Sequence, residues 1–141
     1  MAQTASSTST PAPTPLVRGL QIFAALAVVN VLFQFITAGQ LFPSGGPDEL
    51  HAAGAIVLHV FSGLAAICAF LLWRQGRITL GLAALAAVVF AYTFVQAAIG
   101  GYDTLYIHVP GAMLLTAGVV WLLLATLRVS SSAPFSHSRA R

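Results

Sequence analysis

Four long apolar segments, separated by short polar turns, restrict the folds open to this chain. A helix that crosses a bilayer needs about 20 mostly apolar residues, and the segments at about 16–41, 50–73, 78–99 and 104–127 meet that length. Formal charges are absent from the second, third and fourth segments, and Arg18 lies at the start of the first. We therefore predict an all-α, four-helix transmembrane bundle that runs up-down-up-down.

The low charge content excludes several classes of protein. Charged residues make up 6% of the sequence, whereas a soluble domain carries about 25%. All six basic residues are scattered arginines, so the basic cluster of a nucleic-acid-binding protein is missing. A transmembrane β-barrel would show alternating ten-residue segments, which the sequence lacks. We predict a membrane domain at 16–128 between disordered tails at 1–15 and 129–141, which are rich in Ser and Ala.

The few charges predict the orientation of the bundle. In the four-span arrangement, the three acidic residues Asp48, Glu49 and Asp103 lie on one side of the membrane and every arginine lies on the other. The positive-inside rule places the arginine side, and with it both termini, in the cytoplasm. A cleaved signal peptide is the alternative for the N-terminus, but its positively charged start is missing. The arginines are Arg18, Arg74, Arg77, Arg128, Arg139 and Arg141.

The two halves of the apolar region follow the same pattern of polar and small residues. In each half a glutamine precedes a small residue by four positions, and a histidine after a short loop precedes a glycine by three. We predict an internal two-fold repeat of spans 1–2 and 3–4 about an axis along the membrane normal. Chance similarity between apolar helices is the alternative. The matching residues are Gln34, Ala38, His51 and Gly54, then Gln96, Gly100, His108 and Gly111.

Two histidines begin the second and fourth spans at the predicted outer surface. His51 and His108 lie on parallel, diagonal helices whose axes are roughly 12–14 Å apart, so inward-pointing imidazoles could share one metal ion. The iron of a flat macrocycle, as in haem b, is such a metal, and Gly54 and Gly111 would let a bulky ring approach the backbone. The alternative is that each histidine is simply an interfacial residue.

The remaining polar residues of the spans predict a supporting polar core. Gln34 and Gln96 are expected to form hydrogen bonds between helices. His59 lies roughly 12 Å deeper than His51 along the same helix. Three roles stay open for His59: a proton relay, an alternative axial ligand, or a histidine bonded to a carbonyl or glutamine across the bundle. Catalytic residues are not predicted, since phosphate loops, a Cys-x-x-Cys-His attachment and a Ser–His–Asp arrangement are all missing.

The chain resembles two groups of membrane proteins. The resemblance rests on the motifs Gln34-x-x-x-Ala38 and His51-x-x-Gly54 and on their counterparts in the second half. The chain resembles uncharacterised small four-helix membrane proteins of bacteria and, more weakly, one four-helix half of the haem A synthases. The second resemblance covers about residues 17–128. It implies histidines that ligate haem near the outer surface, at His51 and His108 here. Haem A synthases carry two such halves, so their catalytic activity is not implied; a b-type haem site is.

These observations lead to two functional hypotheses in the plasma membrane of a bacterium. The first is a protein that binds haem b for electron transfer or haem handling. The second is a non-enzymatic scaffold or accessory subunit. A small transporter is less favoured, because an acid is missing from the membrane interior. The expected partners are the lipid bilayer and either a membrane protein complex or further copies of the chain, with no nucleic acid.

Overall fold

The computed structural model describes residues 13–42 and 48–129. The breaker cluster at 43–47 and nearly all of the two predicted tails lie outside the described residues. The described part consists of four α-helices, with a short 3₁₀ turn at Tyr102–Thr104 and no strand. The helices are α1 (Pro15–Gln40), α2 (Glu49–Arg74), α3 (Leu80–Ala98) and α4 (Leu105–Leu127).

All four helices are long and apolar enough to cross a membrane, and their ends fall within two residues of the predicted spans. Local signals explain where they begin. Pro15 opens α1, at the helical position where the missing N–H of proline costs nothing. Thr79 precedes α3, and its hydroxyl accepts a hydrogen bond from the Leu82 N–H at 3.3 Å, which satisfies one unpaired donor of the first turn.

Neighbouring helices run antiparallel and form a ring in which each helix packs against two others. Thr37 near the end of α1 contacts His51 near the start of α2. Gln21 near the start of α1 donates to the carbonyl of Thr126 at the end of α4. Within the described ranges, the diagonal pairs α1/α3 and α2/α4 have no Cα atoms within 8 Å of each other. The predicted up-down-up-down bundle is therefore confirmed.

The two ends of the bundle differ in their interior. The arginine end, which carries Arg18, Arg74, Arg77 and Arg128, has a densely packed apolar core. The histidine end, which carries His51 and His108, holds the buried side chains of Asn30, Thr37, Thr93 and Gln96 instead. The apolar core of the arginine end contains Val17, Leu20, Ala24, Ala65, Ala69, Leu72, Ile78, Ala83, Ala86 and Leu122.

The outward faces of the helices are as apolar as the core. Ile22, Ile56, Val88 and Leu114, one from each helix, are all more than half exposed. Contiguous apolar exposure of this kind is unfavourable in water and suits contact with lipid. The length and hydropathy of the helices agree with this, since all four are long and apolar enough to cross a membrane.

The turn between α2 and α3 depends on a glycine and gives a first testable prediction. Gly76 has φ of 66°, and its N–H and that of Arg77 close the helix on the carbonyls of Trp73 and Leu72. Side chains disfavour this left-handed conformation by about 1–2 kcal/mol. We expect Gly76→Ala to lower the free energy of unfolding in detergent by about that amount. Gly81→Ala, whose Cβ atom would make only an ordinary contact of 3.9 Å with the Thr79 hydroxyl, is the matched control, and equal stability of both variants would contradict the prediction.

Candidate functional site

The structure brings the two predicted histidines together at the centre of the histidine end. His51 lies in the first turn of α2 and His108 in the first turn of α4. Their ring centres are 6.4 Å apart and the ring planes form an angle of 71°. A nitrogen of imidazole binds a metal ion at about 2 Å, which places the centres of two rings on opposite sides of one ion roughly 6 Å apart. The observed separation therefore suits two imidazoles that share a metal ion.

Each imidazole is held through its Nδ1 atom by the helix that precedes it in the chain. Nδ1 of His108 lies 3.1 Å from the backbone carbonyl oxygen of Gln96 on α3. Nδ1 of His51 lies 3.1 Å from the hydroxyl of Thr37 on α1. Because Nδ1 is engaged in both rings, Nε2 is the nitrogen left to bind a metal ion. Metal-binding histidines are ordinarily fixed in this way.

The two predicted glycines are approached closely by glutamine side chains. A Cβ atom at Gly54 would lie 2.5 Å from Oε1 of Gln34. A Cβ atom at Gly111 would collide with Nε2 of Gln96 and lie 2.9 Å from the Tyr92 hydroxyl. The glycines therefore make room for amide groups from the neighbouring helix, a role that we had assigned to a macrocycle. The same contact in both halves supports the predicted repeat.

A cavity of about 540 Å³ surrounds the histidine pair and extends toward the middle of the bundle. All four helices contribute to its wall. Exposed Phe35 and Ile56 belong to this wall as well as to the outer surface, so the cavity reaches the lipid-facing side of the helices. Several of its lining residues have small side chains, which leave space for a flat ligand: Ala38, Ala52, Ala55, Ala97, Gly100 and Ala112.

Several buried polar atoms near the cavity have no hydrogen-bond partner in the described protein. Gln96 is 5% exposed, and neither its amide nitrogen nor its amide oxygen is paired. Oδ1 of Asn30, which is 8% exposed, is also unpaired. An unsatisfied buried polar group costs about 1–3 kcal/mol, so a ligand or an ordered water molecule is expected to supply the missing partner. Gln96 lines the cavity and is well placed for such a contact.

His59 lines the same cavity on its deeper side. Its ring packs against Phe94 of α3, with ring centres 4.2 Å apart, and its Nδ1 is buried without a hydrogen-bond partner. The hydrogen bond across the bundle that we had considered for His59 is therefore not formed at Nδ1. Its counterpart in the second half, Thr116, donates to the carbonyl of Ala112 in its own helix.

No family model matches this chain. No curated protein and no solved structure is similar to it either. Its function must therefore be inferred from the arrangement of its own residues.

The sequence did not identify Thr37 as a partner of a histidine. The available signal was its position three residues after Gln34, which puts both side chains on one face of the helix. Phe94 was missed entirely, because a phenylalanine in an apolar helix carries no functional signal.

The unpaired amide of Gln96 gives a second testable prediction. Gln96→Leu removes both unpaired atoms, while the backbone carbonyl that holds His108 remains. We expect the free energy of unfolding of the ligand-free protein to stay unchanged or rise by about 1 kcal/mol. Gln34→Leu is the control, because the amide oxygen of Gln34 lies 3.4 Å from the Thr37 hydroxyl of the same helix, and it should lose about 0.5–1.5 kcal/mol. Thermal unfolding in detergent measures both, and a loss above 1 kcal/mol in Gln96→Leu would contradict the prediction.

Proposed function

We propose that this chain binds haem b between α2 and α4, with His51 and His108 as the two axial ligands, and serves in electron transfer or haem handling. The observation that carries the proposal is the separation of 6.4 Å between the two imidazole centres. Two imidazoles alone give a metal ion two ligands, whereas the iron of a porphyrin already has four from the ring nitrogens. A metal ion that is already bound in a macrocycle therefore fits this pair best.

The surroundings of the pair also fit such a ligand. The cavity is mostly apolar, small side chains line it from all four helices, and both imidazoles are fixed through Nδ1. The unpaired amide of Gln96 offers a hydrogen bond to a polar group at the edge of the ligand. Gln34 and Gln96 fix the approach of the helices at Gly54 and Gly111.

Bound haem b would supply iron that cycles between the ferric and ferrous states and so carries single electrons. The residues of this chain would do the rest. His51 and His108 hold the iron, Thr37 and the Gln96 carbonyl orient the two imidazoles, and the apolar wall excludes water. Exclusion of water and the choice of axial ligands are the means by which a protein sets a haem potential.

We also propose that the protein lies in the plasma membrane of a bacterium with both termini in the cytoplasm. The support is the separation of charge along the bundle. Arg18, Arg74, Arg77 and Arg128 lie at the arginine end, and Asp48 and Asp103 lie at the opposite end. The positive-inside rule then places the histidine pair at the outer surface.

An absorption spectrum tests the haem proposal directly. Protein purified in detergent from haem-replete cells is expected to show a Soret band, and protein prepared without haem should regain that band when haemin is added. The matched reference is the double variant His51→Ala, His108→Ala in the same detergent. A colourless preparation that also fails to bind added haemin would rule the proposal out.

The hydrogen bonds of the histidines favour one second candidate, a non-enzymatic scaffold or accessory subunit of a membrane complex. Thr37–His51 joins α1 to α2 and Gln96–His108 joins α3 to α4, so both histidines serve bundle assembly whether or not a ligand binds. This candidate predicts that the His51→Ala protein still co-purifies with its partner complex and that the wild-type protein is colourless.

A further inference from the structure

The cavity at the histidine end extends into the seam between α2 and α3. His59 of α2 packs against Phe94 of α3, so this side of α2 faces α3. Ala52 and Ile56 lie seven and three residues before His59 and share its side of the helix. Ala97 lies three residues after Phe94 and likewise shares its side of α3. The cavity wall includes Ala52, Ile56, His59 and Ala97, so the cavity reaches between the two helices.

This part of the cavity is open to the surface that faces lipid. Ile56 is 64% exposed, and Ala52 and Ala97 are also exposed, so the mouth of the seam is apolar and two of its side chains are small. His59 lies eight residues from His51, or roughly 12 Å along the helix, well inside a hydrocarbon layer of about 30 Å. A molecule that enters this seam therefore comes from the bilayer and is soluble in it.

The internal repeat supplies a comparison, because the seam between α4 and α1 is equivalent to this one. Larger side chains, those of Val109 and Phe35, occupy the positions of the two alanines there. Thr116 occupies the position of His59, and its hydroxyl already donates to the carbonyl of Ala112. Thr116 is not part of the cavity wall that the described residues form. The seam between α2 and α3 is therefore the one with more room and with an available polar atom.

That polar atom is Nδ1 of His59, which is buried and has no hydrogen-bond partner among the described residues. A buried polar atom without a partner is unfavourable, and the acyl chain of a lipid offers none. A neutral imidazole nitrogen either donates or accepts, according to the tautomer. The ligand that suits the seam is therefore apolar and flat, and carries an oxygen that can accept or donate a hydrogen bond.

We propose that the seam binds a lipid-soluble quinone, with a ring oxygen hydrogen-bonded to Nδ1 of His59 and the apolar tail directed past Ala52 and Ala97 into the bilayer. A quinone carbonyl accepts from a protonated nitrogen, and a quinol hydroxyl donates to an unprotonated one, so both redox forms fit. The choice of a quinone rests on the proposed function, because quinones carry electrons within the bilayer. Its binding depends on His59 and not on the histidine pair that would hold haem.

Haem-free protein in detergent tests this binding independently of haem. Decylubiquinone, a quinone with a short alkyl tail, is the probe, and isothermal titration calorimetry measures its affinity. His59→Phe keeps a ring against Phe94 but removes the nitrogen atoms, and we expect the affinity to fall about fivefold, as for the loss of one hydrogen bond. The double variant His51→Ala, His108→Ala should bind the quinone as the wild-type protein does. No binding to the wild-type protein, full affinity in His59→Phe, or loss of binding in the double variant would overturn the inference.

Ala97→Phe tests the seam itself. Phenylalanine is the residue that the first half carries at this position, as Phe35, and its ring would fill the space between α2 and α3. We expect the affinity for decylubiquinone to fall about tenfold or more. Ala98→Phe, at an exposed position outside the cavity wall, is the matched control and should retain the affinity. Equal affinity in Ala97→Phe and Ala98→Phe would overturn the inference, whereas intact quinone binding without a Soret band would refute only the proposed haem function.

Discussion

His108→Ala is expected to weaken haem binding at least about 100-fold, because a direct ligand contributes more than the 10–100-fold typical of a supporting hydrogen bond. His51→Ala should also weaken haem binding and leave iron with one histidine ligand, which shifts the Soret band and opens a coordination position. Titration of the haem-free variants with haemin, followed at the Soret band, measures both effects.

His59→Ala is the control for these two variants. His59 lines the same cavity, but its ring packs against Phe94, so its removal should leave the Soret band and the haem affinity unchanged. The His51→Ala and His108→Ala variants each lose one hydrogen bond between helices, which is worth about 0.6 kcal/mol in a membrane protein, so the haem-free variants should remain folded. Full haem affinity in both His51→Ala and His108→Ala would contradict the proposed ligands, and loss in His59→Ala would identify a different one.

The fold could be predicted because the bilayer leaves few alternatives. A backbone in hydrocarbon must satisfy its hydrogen bonds within the chain, so a charge-free run such as 78–99 has to be a helix. The short turns at Arg74–Arg77 and at Gly100–Gly101 then force neighbouring helices to run antiparallel. In such an antiparallel bundle His51 and His108 lie at the same end of diagonal helices, and the structure brings their rings together there.

The details of the site could not be predicted, because these helices are apolar on every side. Periodicity identifies the buried face of a helix only when another face is polar, and here the lipid-facing surface is apolar as well. The rotation of each helix therefore remained undetermined by the sequence. His51 and His59 are about 80° apart on a helical wheel, yet one cavity is long enough to reach both residues.

The contacts between glutamines and glycines lay beyond the sequence for a second reason. The spacing of His108 and Gly111 indicates that both face the same side of α4, but not which neighbour fills the space above the glycine. The neighbour is set by the rotamer of Gln96. The observed rotamer leaves the amide without a hydrogen-bond partner, and local conformational preferences do not favour it. The two glycines had been predicted to admit a macrocycle, whereas Gln34 and Gln96 occupy that space.

Gly111→Ala is expected to cost about 1–3 kcal/mol of stability, the usual cost of inserting a methyl group into a packed interior. The added Cβ atom would meet the amide of Gln96 and the hydroxyl of Tyr92. Gln96 is 5% exposed and has little room to move aside. Unfolding in detergent, monitored by circular dichroism, measures this loss. Gly39→Ala, which would meet nothing within 4 Å, is the control and should be neutral or slightly stabilising.

The same substitution should also weaken haem binding, because the Gln96 amide that the new Cβ atom displaces lines the cavity proposed to hold the ligand. Gly54→Ala should have a smaller effect on stability, since Gln34 is only half-buried and its amide can swing toward the membrane surface. If Gly111→Ala lowered stability but left haem affinity intact, the glutamine would serve helix packing alone. Equal losses of stability in Gly54→Ala and Gly111→Ala would mean that the amides of Gln34 and Gln96 are held equally firmly. That result would contradict the prediction, which depends on the different burial of the two glutamines.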